Sequence, residues 1–81
     1  MKGLVRYLNM TNAMAGVETE QGFTVFEVCQ RCAIDISDVV SGALDSLGNE
    51  TLHNMTKNED FDVRIEYAHC SRTEAVALLG Q

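Results

Sequence analysis

Residues 61–67 carry the plainest pattern in the chain. Phe61, Val63, Ile65 and Tyr67 alternate with Asp62, Arg64 and Glu66. Successive side chains leave a strand on opposite faces, so this two-residue period predicts a half-buried antiparallel strand. Lys57-Asn58-Glu59-Asp60 before it is a polar turn. Upstream, Lys2-Gly3-Leu4-Val5-Arg6-Tyr7-Leu8 is rich in strand formers and is broken by Asn9-Met10-Thr11-Asn12. Residues 14–19 and 22–28 read as two further strands, with Glu20-Gln21-Gly22 a turn of hairpin length between them. Strands are also expected over 38–44 and 50–55, separated by the Asp45-Ser46-Leu47-Gly48-Asn49 turn. The chain has no proline, so glycine and Asn/Asp/Ser clusters supply the punctuation.

The period changes after residue 70. Ser71-Arg72-Thr73-Glu74 is a capping-box pattern, followed by Ala75-Val76-Ala77-Leu78-Leu79 and then Gly80. This predicts a short helix over 71–79. Two turns are unstable alone, so the helix must pack on the sheet, and the expected contact is its Val76 and Leu78 side. The fold class expected is therefore mainly β: a small antiparallel barrel over residues 2–69 with a short C-terminal helix, one domain across 1–81. A competing pattern exists in the middle of the chain. Residues 24–32 and 37–47 fit a helix-turn-helix with Ile34-Asp35-Ile36 at the turn, and Asp38, Val39, Val40, Ala43, Leu44 and Leu47 fit a helical face. The β-branched residues Val25, Val28, Val39 and Val40 favour strands there.

Composition narrows the function classes. The chain has 81 residues, 12 acidic and 6 basic, for a net charge of -6, and 46% of it is apolar. Disorder is excluded by the apolar content. The acidic balance disfavours broad attraction to nucleic acid or anionic lipid. No apolar run approaches the ~20 residues a membrane span needs, and no basic segment precedes an apolar stretch, so the expected address is the cytoplasm. Three cysteines without an export signal do not read as a disulfide framework.

Two segments carry a resemblance. Lys2-Gly3-Leu4-Val5-Arg6-Tyr7-Leu8-Asn9 resembles the opening strand of cold-shock domains, Lys-Gly-x-Val-Lys-Trp-Phe-Asn. Thr24-Val25-Phe26-Glu27-Val28 resembles their third strand, Asp-Val-Phe-Val-His. Residues 47–56 also look like a segment of small bacterial proteins of unassigned activity that open in the same way. The resemblance implies a five-stranded barrel of the OB type. It implies single-strand binding much less, because the Phe-Gly-Phe of the family aligns with Met14-Ala15-Gly16 and the third-strand His with Val28. Base stacking on a ring contributes ~1–3 kcal/mol, so losing the rings forfeits most of that affinity.

The face left by this comparison is Arg6, Tyr7, Met14, Phe26 and Val28, expected to dock another protein or a second copy of the chain. Weak single-stranded nucleic-acid binding through Arg6, Tyr7 and Phe26 is the alternative. Alternation puts Val5 and Tyr7 on one side, so Tyr7 projects outward only if the first strand bulges. Cys29-Gln30-Arg31-Cys32 has the spacing of half a zinc site or of a redox dithiol, and His69-Cys70 would complete a zinc site if the end of the last strand lay beside the loop after the third. Core packing and an ordinary loop thiol are the commoner use of such cysteines, so neither metal nor cofactor is assigned. Asn58, Glu59, Asp60, Asp62 and Glu66 read as a solvated turn and outer sheet face. No nucleophile has a base and orienter arranged beside it in sequence, so catalysis is not expected.

Overall fold

The computed structural model describes residues 1–30 and 32–80. Six strands, β1 (Lys2–Asn9), β2 (Met14–Thr19), β3 (Gly22–Val28), β4 (Val39–Ser41), β5 (Gly48–Asn54) and β6 (Glu59–Cys70), precede one helix, α1 (Arg72–Leu78). The strands close into a barrel in the order β1-β2-β3-β6-β5-β4, with β4 returning to β1 and every pair antiparallel. The mainly β barrel with a short C-terminal helix is thus present. It has six strands where the resemblance implied five. The helix-turn-helix pattern does not form: 22–28 and 39–41 are strand, and residues 42–47 turn so that Leu44 enters the core and accepts the Thr24 hydroxyl at its carbonyl (2.7 Å). No helix among the described residues is long and apolar enough to cross a membrane.

Local sequence explains the hairpin between β2 and β3. Its last pair is Thr19↔Gly22, and Gly22 has φ +107°. A Cβ there would also lie 2.8 Å from the Cys70 carbonyl oxygen, so both backbone conformation and space require glycine.

The apolar residues divide into two clusters. Inside the barrel lie Val5, Val17, Phe26, Leu44, Leu52, Phe61, Val63 and Ile65 with their neighbours. Outside it, under α1, lie Phe23, Val25, Cys70, Ala75 and Leu79, with Tyr7 and Met14 against them. Strand β3 therefore serves both, and its residues 23–26 are all buried. Register shifts against β6 on either side of Val25 let adjacent residues of β3 reach opposite clusters. The same irregularity ends the alternation of β6: Phe61, Val63 and Ile65 point inward as expected, but Tyr67 is 45% exposed. Strand β1 bulges between Val5 and Tyr7, which leaves Val5 in the barrel and brings Tyr7 to the outer cluster.

The capping box of α1 forms as its sequence implies. Ser71 Oγ accepts from the Glu74 amide (3.1 Å), and the Ser71 amide donates to Glu74 Oε1 (2.9 Å). These bonds hold the Glu74 carboxyl below its usual range, the amide of Ser71 first among the causes. The face that meets the sheet is Ala75 and Leu79, not Val76 and Leu78. Residues four apart share one helix face, and Gly16 below leaves room there, since a Cβ on it would come 2.9 Å from Leu79 Cδ1. With so short a helix the cap carries much of its stability. Ser71→Ala is expected to lower folding stability by about 1 kcal/mol, and Ser71→Asp to restore most of it, as read from urea midpoints.

Candidate binding surfaces

The five residues expected to form one docking face occupy three different environments. Phe26 is fully buried in the barrel, its ring 6.1 Å from that of Phe61. Val28 is half-buried against the same core. Tyr7 and Met14 are half-buried against the outer cluster, Tyr7 lying 5.9 Å from the Phe23 ring and accepting a hydrogen bond from Arg72 Nη1 at its hydroxyl (3.1 Å). Only Arg6 is exposed, and its Nε is held by Glu18 at 2.8 Å. The sequence alignment placed these side chains on one face by analogy. The shifts in β1 and β3 send Phe26 and Tyr7 to opposite sides of the sheet.

The cysteines are likewise separated. Strands β3 and β6 run antiparallel, so the end of β6 lies beside the start of β3: Cys70 pairs with Phe23, whereas the Cys29 amide donates to the Asp62 carbonyl (3.0 Å). From Asp62 to Cys70 is roughly 25 Å of extended strand. His69-Cys70 therefore does not complete a site with Cys29 and Cys32. Cys70 is buried beneath α1, and burial, then the Glu74 carboxylate, pushes its thiol above the usual range. Among the described residues no group of three or more His, Cys, Asp or Glu side chains converges as metal ligands would. The acidic outer positions of β6 face solvent: Thr51 donates to Asp62 (2.7 Å), and His53 Nδ1 lies 2.7 Å from Asp60.

A polar cluster closes the end of the barrel near β4. Asp38 is only 4% exposed, and its Oδ2 accepts from Lys57 Nζ (2.6 Å), Asn54 Nδ2 (2.9 Å) and the Asp35 amide (3.0 Å). Lys57 Nζ also meets Asp35 Oδ2 at 2.9 Å. Asn54 Oδ1 in turn accepts the amides of Thr56 and Lys57. Burial pushes the Asp38 carboxyl up, but the bonds from Lys57, Asn54 and the Asp35 amide together hold it below its usual range. Those same carboxylates raise Lys57, Asp38 first. Among the described residues no buried side-chain polar atom lacks a partner, and this cluster is a clamp between two turns.

A surface that the sequence reading missed lies between β6 and α1. Tyr67, Cys70, Glu74, Ala77 and Leu78 line a mostly apolar cleft of about 310 Å³. Tyr67 is 45% and Leu78 37% exposed. Glu74, Ala77 and Leu78 are spaced three and four apart, so they form a second stripe of the helix, beside the one that meets the sheet. The available signal was an excess of apolar residues: Val76-Ala77-Leu78-Leu79 has more than one buried stripe can use. The cleft adjoins an open sheet edge. Strand β5 starts at Gly48, opposite Ile65, so residues 66–68 of β6 have β3 on one side and, among the described residues, no strand on the other. Leu47, 64% exposed, precedes Gly48 just beyond the last β5–β6 pair.

Comparison of the chain with family models, with curated proteins and with solved structures finds no match in any of the three.

Proposed function

We propose that the chain is a non-catalytic binding module of the cytoplasm that pairs with a second copy of itself along the face between β6 and α1. The observation that carries this reading is the mostly apolar cleft of Tyr67, Cys70, Glu74, Ala77 and Leu78 beside the uncovered edge of β6. Exposed strand edges recruit further strands through their unpaired backbone groups, and a neighbouring cleft gives such pairing a side-chain anchor. A second copy fits because a two-fold contact brings the same patch of each copy together, so that the strand edge can pair antiparallel with itself beside the cleft. A chain carrying -6 repels its own kind at long range, so the contact must be apolar at its centre, as this cleft is. An 81-residue chain also has little core of its own and gains from burying more surface.

The positions of the rings and cations support a polypeptide partner over nucleic acid. Phe26 is inside the barrel, Tyr7 is packed on Phe23, and Arg6, Arg64 and Arg72 each face a glutamate. The test is sedimentation equilibrium across a wide concentration range. The wild type is expected to approach twice its 8.9 kDa chain mass. Tyr67→Ser with Leu78→Asp is expected to remain monomeric with an unchanged circular dichroism spectrum, since both side chains are exposed. A wild type that stays monomeric, or a double variant that still pairs, overturns the reading. So does oligonucleotide binding with a steep salt dependence.

A further inference from the structure

At the other end of β3, Met10, Cys29 and Cys32 line one cleft of about 420 Å³. We propose that these three sulfur side chains form a binding site for a soft monovalent metal ion, copper(I). Two loops bring them together. Met10 lies in the turn between β1 and β2, and the cysteines lie in the segment that follows β3. The Val28 amide donates to the Ala13 carbonyl (2.8 Å) and ties that turn to the end of β3.

The chemistry of the lining selects the metal. Among the described residues, Ala13, Val28 and Ile34 supply apolar walls, Gln30 is the other polar side chain of the lining, and no carboxylate or imidazole lines the cleft. Calcium and magnesium need oxygen ligands. Structural zinc takes four ligands, and two thiols with no histidine fall short of that. Thiolate and thioether donors together select copper(I) among the biological metals. Cys29 is exposed and gives the ion a way in, whereas Cys32 packs against the core and anchors the site. Burial, and then the nearby Glu59 carboxylate, raise the Cys32 thiol. Binding one Cu⁺ releases both thiol protons to solvent, so affinity rises with pH. The site lies away from the face between β6 and α1 and does not depend on self-association.

The test is anaerobic titration of the reduced, purified chain against the coloured copper(I)–bicinchoninate complex. The expected result is transfer of one Cu(I) per chain, with loss of the visible band. Cys29→Ala and Cys32→Ala should each abolish transfer. Met10→Leu should keep the stoichiometry and weaken binding by roughly tenfold or more, while Cys70→Ala should leave it unchanged. Because Cys32 touches the core, a second measurement uses the wild type alone: bound Cu(I) should protect Cys29 and Cys32, but not Cys70, from alkylation in unfolding quench. No transfer, one metal per two chains, transfer that survives loss of both Cys29 and Cys32, an unaffected Met10→Leu variant, or equal affinity for zinc would each overturn the proposal.

Discussion

Phe26→Ala is expected to destabilise the fold by about 3–5 kcal/mol, the usual range for removing a fully buried aromatic ring. The ring is completely enclosed, packs against Phe61, and sits among Val5, Val17, Leu44, Leu52, Val63 and Ile65. Nothing in so small a barrel can collapse to fill the space, because the surrounding strands are joined in a closed ladder. The measurement is chemical denaturation of wild type and variant at equal concentration. A loss below about 1 kcal/mol would place the ring outside the core. The outcome also separates two views of the same side chain. A binding ring on the surface would tolerate removal and lose only its ligand. Met14→Ala, which trims a half-buried side chain of the outer cluster, serves as the smaller-effect comparison.

Asp38→Ala is expected to cost about 2–4 kcal/mol at neutral pH. Breaking a buried ion pair from one side costs about 3–5 kcal/mol, because the partners are left without compensation. The partly solvated side chain of Lys57, 25% exposed, moderates this. Three donors lose the Asp38 oxygen at once: Asn54 Nδ2, the Asp35 amide and Lys57 Nζ, which keeps Asp35 Oδ2 at 2.9 Å. Asp38→Asn keeps the shape and removes the charge, so it should fall between.

The pH dependence has a definite sign. The folded Asp38 carboxyl titrates below its usual 3.8. Its contribution is therefore present above about 3.8 and is lost as the pH falls through the lower, folded value. Lys57 titrates above its usual 10.5. Its contribution is present below that value and is lost as the pH rises through the raised one. Stability measured from neutral to strongly acidic pH should thus fall more steeply in the wild type than in Asp38→Asn. Parallel acid limbs for the two proteins would show that the clamp contributes no proton-linked stability.

The deepest part of this fold was legible because local rules and tertiary packing agree there. The alternation from Phe61 to Ile65 is the inward face of β6, and the Ser71-x-x-Glu74 cap is the start of α1. Neither requires knowledge of a distant residue. The β2–β3 hairpin was legible for the same reason, since turn length and Gly22 set its register within a few residues. The five-residue face was misjudged where the period fails. At β3 two register shifts, and at β1 one bulge, send Phe26 into the barrel and Tyr7 out of it, and such shifts depend on which strand lies alongside. Whether His69-Cys70 lies beside Cys29 and Cys32 was not legible, because it depends on the relative direction of β3 and β6.

The amino-acid sequence by itself determined which segments become strands, where the helix starts, and which positions of the last strand face inward. Hydrophobic period, β-branching, turn chemistry and capping all act over a few residues, and each is written in the chain. Only the tertiary structure decided that six strands close into one barrel, that β3 is buried on both faces, and that Cys29 and Cys70 lie far apart. It alone also placed Met10, Cys29 and Cys32 along one cleft, and left residues 66–68 of β6 paired with β3 on one side only. Those outcomes depend on pairings between residues dozens of positions apart, whose free energy comes from excluding water between whole elements and has no local signature.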